Sequence, residues 1–147
     1  MSRKSLSIVS LCGMVVLLSA WLALAPSQAA DDEKAEVKKQ IHAMLEQRQN
    51  TLKERFEVVT ALHKQGALSS QDITQANEDL LQAKLALATE RDERIAIAKQ
   101  RVENFRQSEA IVDSLFRRAE ASQVEKLLVT AARQQAEIDL LRERLGN

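Results

Sequence analysis

Leu62-His63-Lys64-Gln65-Gly66-Ala67-Leu68-Ser69-Ser70-Gln71-Asp72-Ile73 is the stretch that sets the fold, because it carries both a helix stop and a helix start. Gly66 can take the left-handed conformation that ends a helix, and Leu62 and Ala67 are spaced for the apolar contact of a Schellman cap. Ser69 is then placed to cap a second helix, Asp72 to return the bond from its N3 position, and Leu68 to staple against Ile73. The stretch therefore predicts a helix-turn-helix.

Outward from this turn the chain keeps helical spacing. From residue 31 onward the only glycines are Gly66 and Gly146, and Ala, Leu, Glu, Gln, Lys and Arg dominate, which are strong helix formers. Apolar residues recur every three or four positions, first as Val37, Ile41, Leu45, Leu52, Val59 and Leu62, then as Ile73, Ala76, Leu80, Ala83 and Leu87. A third set is Ile95, Ala98, Val102, Phe105, Val112 and Phe116. The fourth, Val124, Leu127, Ala131, Gln134, Ile138, Leu141 and Leu145, is the most regular. A second turn, Arg118-Ala119-Glu120-Ala121-Ser122, repeats the capping box as Ser122 with Glu125 but has Ala119 where the first has glycine, so it should be the weaker turn.

The two turns belong to an internal repeat. Displacing the chain by 53 residues lays Leu62 on Leu115, Ser69 on Ser122, Asp72 on Glu125, Ala83 on Ala136 and Leu85 on Ile138. The expected fold is all-α, with two tandem antiparallel helical hairpins, residues 31–88 and 89–147, forming an elongated coiled-coil-like bundle. Thr89 with Asp92 offers a third capping box at the join, where a break or kink is expected. Phe56, Phe105 and Phe116 are the only aromatics after residue 31, so the buried seam must be narrow. Internal packing is the default reading of each apolar stripe. The fourth stripe is also a candidate interaction seam, made of Leu127, Ala131, Gln134, Ile138, Leu141 and Leu145, because a heptad of that regularity suits a matching helix.

The opening residues read as a secretory leader. Arg3 and Lys4 precede an uncharged run from Leu6 to Ala25, followed by Pro26-Ser27-Gln28-Ala29-Ala30. Residues 1–30 are expected to be a signal peptide cleaved after Ala29 or Ala30, which makes the expected location periplasmic and confines any membrane contact to the leader. Cleavage would take two of the 21 Lys/Arg, none of the 21 Asp/Glu, and the single cysteine, Cys12. The remainder is slightly acidic and cysteine-free. It lacks the clustered positive charge that nucleic-acid binding needs, and it can form neither disulfides nor thiolate metal sites.

Catalytic groups are equally sparse. His42 and His63 fall in one helical segment, roughly 30 Å apart along its axis, and so cannot share a site within it. His42 with Glu46 makes an ordinary i, i+4 pair, and His63 sits where a helix C-terminus favours partial positive charge. Ser69 and Ser122 are accounted for as caps, and Ser108 and Ser114 have no histidine at useful spacing. Acidic and basic residues stand side by side, which by default makes a solvated, salt-bridged surface. No enzymatic activity, cofactor or metal is expected, and the expected partner is another helical protein or a second copy.

The turn from Leu62 to Ile73, with Ala76, Leu80, Ala83 and Leu87 after it, resembles the helical hairpin of the TolC-type outer-membrane efflux family. In that family a Gly-x-x-Ser-x-x-Asp turn precedes Ala and Leu at seven-residue intervals, and the hairpins are duplicated. Ser122, Glu125, Leu127, Ala131, Ala136 and Ile138 carry the second copy here. The family's barrel-forming β-strands have no counterpart in this sequence, so the resemblance implies a non-catalytic structural or interaction module and not a channel. The tips of periplasmic adaptor proteins are similar in their Gly-Ala-x-Ser run, but Val58 stands where they carry arginine. A free-standing periplasmic helical chaperone or stress protein is the alternative.

Overall fold

The computed structural model describes residues 25–146, with side chains from residue 31. Four helices follow one another: α1 (Ala25–Lys64), α2 (Ser70–Leu87), α3 (Arg91–Arg117) and α4 (Gln123–Leu145). No strand occurs among the described residues. The expected all-α fold of antiparallel hairpins is therefore the observed one. The apolar run of the leader, apart from Ala25, lies outside the described residues, and residues 25–30 of the segment expected to be cleaved are described as the start of α1.

The described residues divide after Ile41 into two units. In the first, every described side chain from Asp31 to Ile41 is exposed, including Val37 and Ile41. The second holds the rest of α1 and all of α2, α3 and α4, so both hairpins of the internal repeat contribute to one packed unit.

The two turns of that unit have the same hydrogen bonds, displaced by 53 residues. At the first, the Gly66 N–H donates to the His63 carbonyl at 2.8 Å and the Ala67 N–H to the Leu62 carbonyl at 3.0 Å. At the second, the Ala119 N–H donates to the Phe116 carbonyl at 3.0 Å and the Glu120 N–H to the Leu115 carbonyl at 2.9 Å. Both are Schellman caps. Gly66 has φ +75° and Ala119 has φ +59°, so the second turn places a Cβ in left-handed backbone.

Each following helix starts with a capping box. The Ser69 N–H donates to the Asp72 carboxylate at 2.8 Å while the Asp72 N–H donates to Ser69 Oγ at 3.3 Å. Ser122 and Glu125 make the corresponding bonds at 2.7 and 3.1 Å. Hydrogen bonding to Ser69 holds the Asp72 carboxyl below its usual pKa, and hydrogen bonding to Ser122 does the same for Glu125. His63 also braces the first turn, its Nδ1 lying 2.8 Å from the Leu68 carbonyl, which makes Nδ1 the protonated ring nitrogen.

The join between repeats is broken, but by a different device from the expected one. Ala88 leaves α2 with φ −65° and ψ 121°, and α3 is capped by Glu90 with no side-chain bond, so Thr89 and Asp92 do not form a capping box. Arg94 does the bracing. Its guanidinium donates back to the Leu85 and Ala88 carbonyls at 3.3 and 3.4 Å, satisfying acceptors that the end of α2 leaves free.

Helix α3 packs on both α2 and α4. Alanines make the close approaches: Ala76, Ala83, Ala98 and Ala136 are each 1% exposed. The default reading of all charged residues as solvated surface fails at the centre. Glu78 of α2 and Arg101 of α3 are buried, with Arg101 Nε 2.8 Å from Glu78 Oε1 and Arg101 also 3.3 Å from Asp139 of α4. Burial disfavours the Arg101 charge, but bonding to Glu78 and then Asp139 outweighs it and leaves its pKa above the ordinary value. Asn77 donates to Asn104 at 2.9 Å, and Asn104 donates to the Thr74 carbonyl at 3.0 Å. A polar core of this kind specifies which residues may face each other across α2 and α3.

Candidate functional site

The register of α4 on α3 is fixed by a string of ion pairs. Arg94 grips Glu143 at 2.8 and 2.5 Å, Arg106 reaches Glu137 at 3.1 Å, Glu109 accepts from Arg133 at 2.6 Å, and Lys126 reaches Asp113 at 2.8 Å. Hydrogen bonds from Arg94, Arg106 and Lys126 hold the Glu143, Glu137 and Asp113 carboxyls below their ordinary pKa values. Lys126 also lies 5.4 Å above the Phe116 ring, near the tip of the hairpin. At the other end Arg91 donates to the Arg144 carbonyl, so cations from α3 meet the negative end of the α4 dipole. Ion pairs at or near a solvated surface add little net stability. Their consequence is rotational, since they hold one fixed face of α4 against α3.

That face consists of Val129 and Ala136, both buried, flanked by half-buried Ala132 and Leu140. The regular apolar stripe lies on the other side. In heptad letters Val124, Ala131, Ile138 and Leu145 are a positions, Leu127, Gln134 and Leu141 are d positions, and Val129 and Ala136 are f positions. At 3.6 residues per turn the f row is about 170° from the middle of the a/d row.

Internal packing, the default reading of this stripe, is therefore wrong for α4. Leu127, Ala131, Gln134, Ile138, Leu141 and Leu145 are all exposed, with Leu127 at 58%, Ile138 at 44%, Leu141 at 55% and Leu145 at 73%. Val124 and Leu128 extend the surface at 64% and 63% exposure. By contrast the α2 stripe is internal at Ala76, Leu80 and Ala83, and the α3 stripe at Ala98, Val102 and Val112. The α1 stripe is split, since Leu45, Leu52 and Val59 are half-buried whereas Val37, Ile41 and Leu62 are exposed.

Other candidate groups remain apart. His42 Nε2 lies 3.4 Å from Glu46 with both side chains well exposed. Among the described residues no group of three or more His, Cys, Asp or Glu is arranged to hold a metal ion, and no helix is long and apolar enough to cross a membrane. Sequence reasoning missed Glu78, Arg101 and Asn104. For Glu78 a signal was present, because Thr74, Glu78, Leu81 and Leu85 of α2 and its C-cap Ala88 form a second heptad row, in which Leu81, Leu85 and Ala88 pack with Ile97. Compared with known proteins, the chain matches no protein-family model, and no characterised protein or solved structure is significantly similar to it.

Proposed function

We propose that the protein is an exported, non-catalytic helical-hairpin module of the cell envelope, of the TolC-like type its turn residues resemble, and that it works by docking another helix onto the outer face of α4. The exposure of the heptad row carries this reading. A helix with one polar face has an obvious solvent side, but α4 is apolar on two opposite sides and only one is packed. Large exposed apolar rows on a folded chain mark interaction surfaces more often than chance. The ion pairs along α3 support the same reading, because they keep α4 from rolling its a/d row inward. The order of basic residues, apolar run and small residues in the first 30 positions supports export.

The test places a photoreactive residue at Leu141, and separately at exposed Gln107 on α3, in the full chain expressed from its own leader. A discrete adduct from Leu141 in the osmotic-shock fraction, with none from Gln107, is the expected result. No adduct from Leu141, or equal adducts from both positions, overturns the docking face. A ladder of many adduct masses favours a chaperone with many clients over a dedicated module.

A further inference from the structure

The docking face has a sequence that fits one occupant best. We infer that it is covered by the α4 helix of a second copy of this chain, parallel and in register; this rests on the docking face proposed above and names its partner.

The argument starts from the layers. In a parallel, in-register pair each a and d residue meets its own copy, and the interface is self-complementary about a two-fold axis along the helix. Of the four a positions Val124 and Ile138 are β-branched and Ala131 and Leu145 are not, and of the three d positions Leu127 and Leu141 are leucine. β-branched residues at a with leucine at d is the pattern that favours two strands over three or four. Both rows are exposed along α4, whose 23 residues give a seam roughly 34 Å long.

Gln134 separates parallel from antiparallel. Antiparallel pairing sets a against d, so Gln134 would face Ile138 or Ala131 and its amide would be buried without a partner. In the parallel pair it meets Gln134 of the second copy, where each amide can donate to the other's carbonyl. One polar layer of this kind fixes register and strand number. The flanks match in sign: the g position Glu137, which already accepts from Arg106 and Arg133 in the single chain, falls beside the e position Arg142 of the second copy, once on each side, so its carboxylate is shared with a third guanidinium. The Arg142 side chain is 64% exposed and among the described residues is paired with Asp139 at 3.4 Å, an exposed contact it can exchange for one across the seam.

The experiment uses the full chain with Cys12→Ser, which leaves no other cysteine. Leu127→Cys and Leu141→Cys, tested separately under mild oxidation, should each give a disulfide-linked dimer, whereas Val129→Cys on the packed side should give none. The cysteine-free chain should sediment as a dimer, and Gln134→Leu should tighten association about tenfold while admitting larger species. Cross-linking only in a mixture of Leu127→Cys with Leu145→Cys means antiparallel pairing and overturns the inference. So does association that Gln134→Leu leaves unchanged. A chain that stays monomeric up to about 100 μM and never self-links overturns the second copy as occupant. The photoreactive Leu141 variant then decides separately whether the docking face itself stands, since an adduct to a different protein would keep it and the absence of any adduct would remove both.

Discussion

Ala119→Gly should stabilise the protein, and Gly66→Ala should destabilise it by a similar amount. Ala119 holds φ +59° in a cap whose hydrogen bonds match those around Gly66. A Cβ in left-handed backbone costs about 1–2 kcal/mol, and the extra freedom of glycine in the unfolded chain returns about 0.4–1 kcal/mol of that. The net gain from Ala119→Gly is thus about 1 kcal/mol or slightly less. At Gly66 an added Cβ would meet no atom within 4 Å, so Gly66→Ala incurs the conformational cost alone, again about 1 kcal/mol. Urea unfolding of the full chain reads both, because a change of ~1 kcal/mol with m of ~2 kcal/mol/M moves the midpoint by ~0.5 M at constant m. The double variant, whose two sites share no hydrogen bond, should return close to the parent midpoint. A lower midpoint for Ala119→Gly would refute the reasoning, since it would mean that the alanine is not strained by its backbone conformation.

Glu78→Ala should cost about 3 kcal/mol or more, because it leaves Arg101 buried with only the longer bond to Asp139; thermal unfolding checks this, and a negligible loss would place the pair in solvent. Stability should depend on pH in one direction. Asp72, Asp113, Glu125, Glu137 and Glu143 all have lowered pKa values in the folded chain, so their contribution is complete above the unfolded carboxylate range. It is lost as pH falls below about 4 and through the folded values. Urea midpoints should accordingly agree at pH 7 and pH 5 and drop at pH 3, and a rise at pH 3 would contradict these assignments. Amide exchange should be faster at Ala119–Ala121 than at Gly66–Leu68 because the alanine cap is strained; the opposite order would count against that strain.

The turns were legible in the sequence because their chemistry is local. A glycine, a serine and an acidic residue within seven positions determine a cap, and a displacement of 53 residues carries the same pattern to Ala119, Ser122 and Glu125. What could not be read locally was which way each helix faces. The heptad row of α4 was plain, but which side of α4 turns toward α3 is set by partners distant in sequence, and the ion pairs between the two helices join residues 13 to 49 positions apart. The same limit hid Glu78 and Arg101, which look like surface charges until α2 and α3 are set side by side. It also hid the means of breaking the helix at Ala88, where the bracing group is Arg94 and not the nearby Thr89.

Protection of the α4 face in living cells tests the docking face most directly. In the Cys12→Ser background, Leu141→Cys and Gln107→Cys are both placed at exposed positions of the single chain, so a maleimide should label them at similar rates if nothing covers α4. The account predicts that in the intact envelope Leu141→Cys is labelled at least tenfold more slowly than Gln107→Cys, and that the difference disappears on denaturation. Equal labelling of the two in intact cells would contradict it.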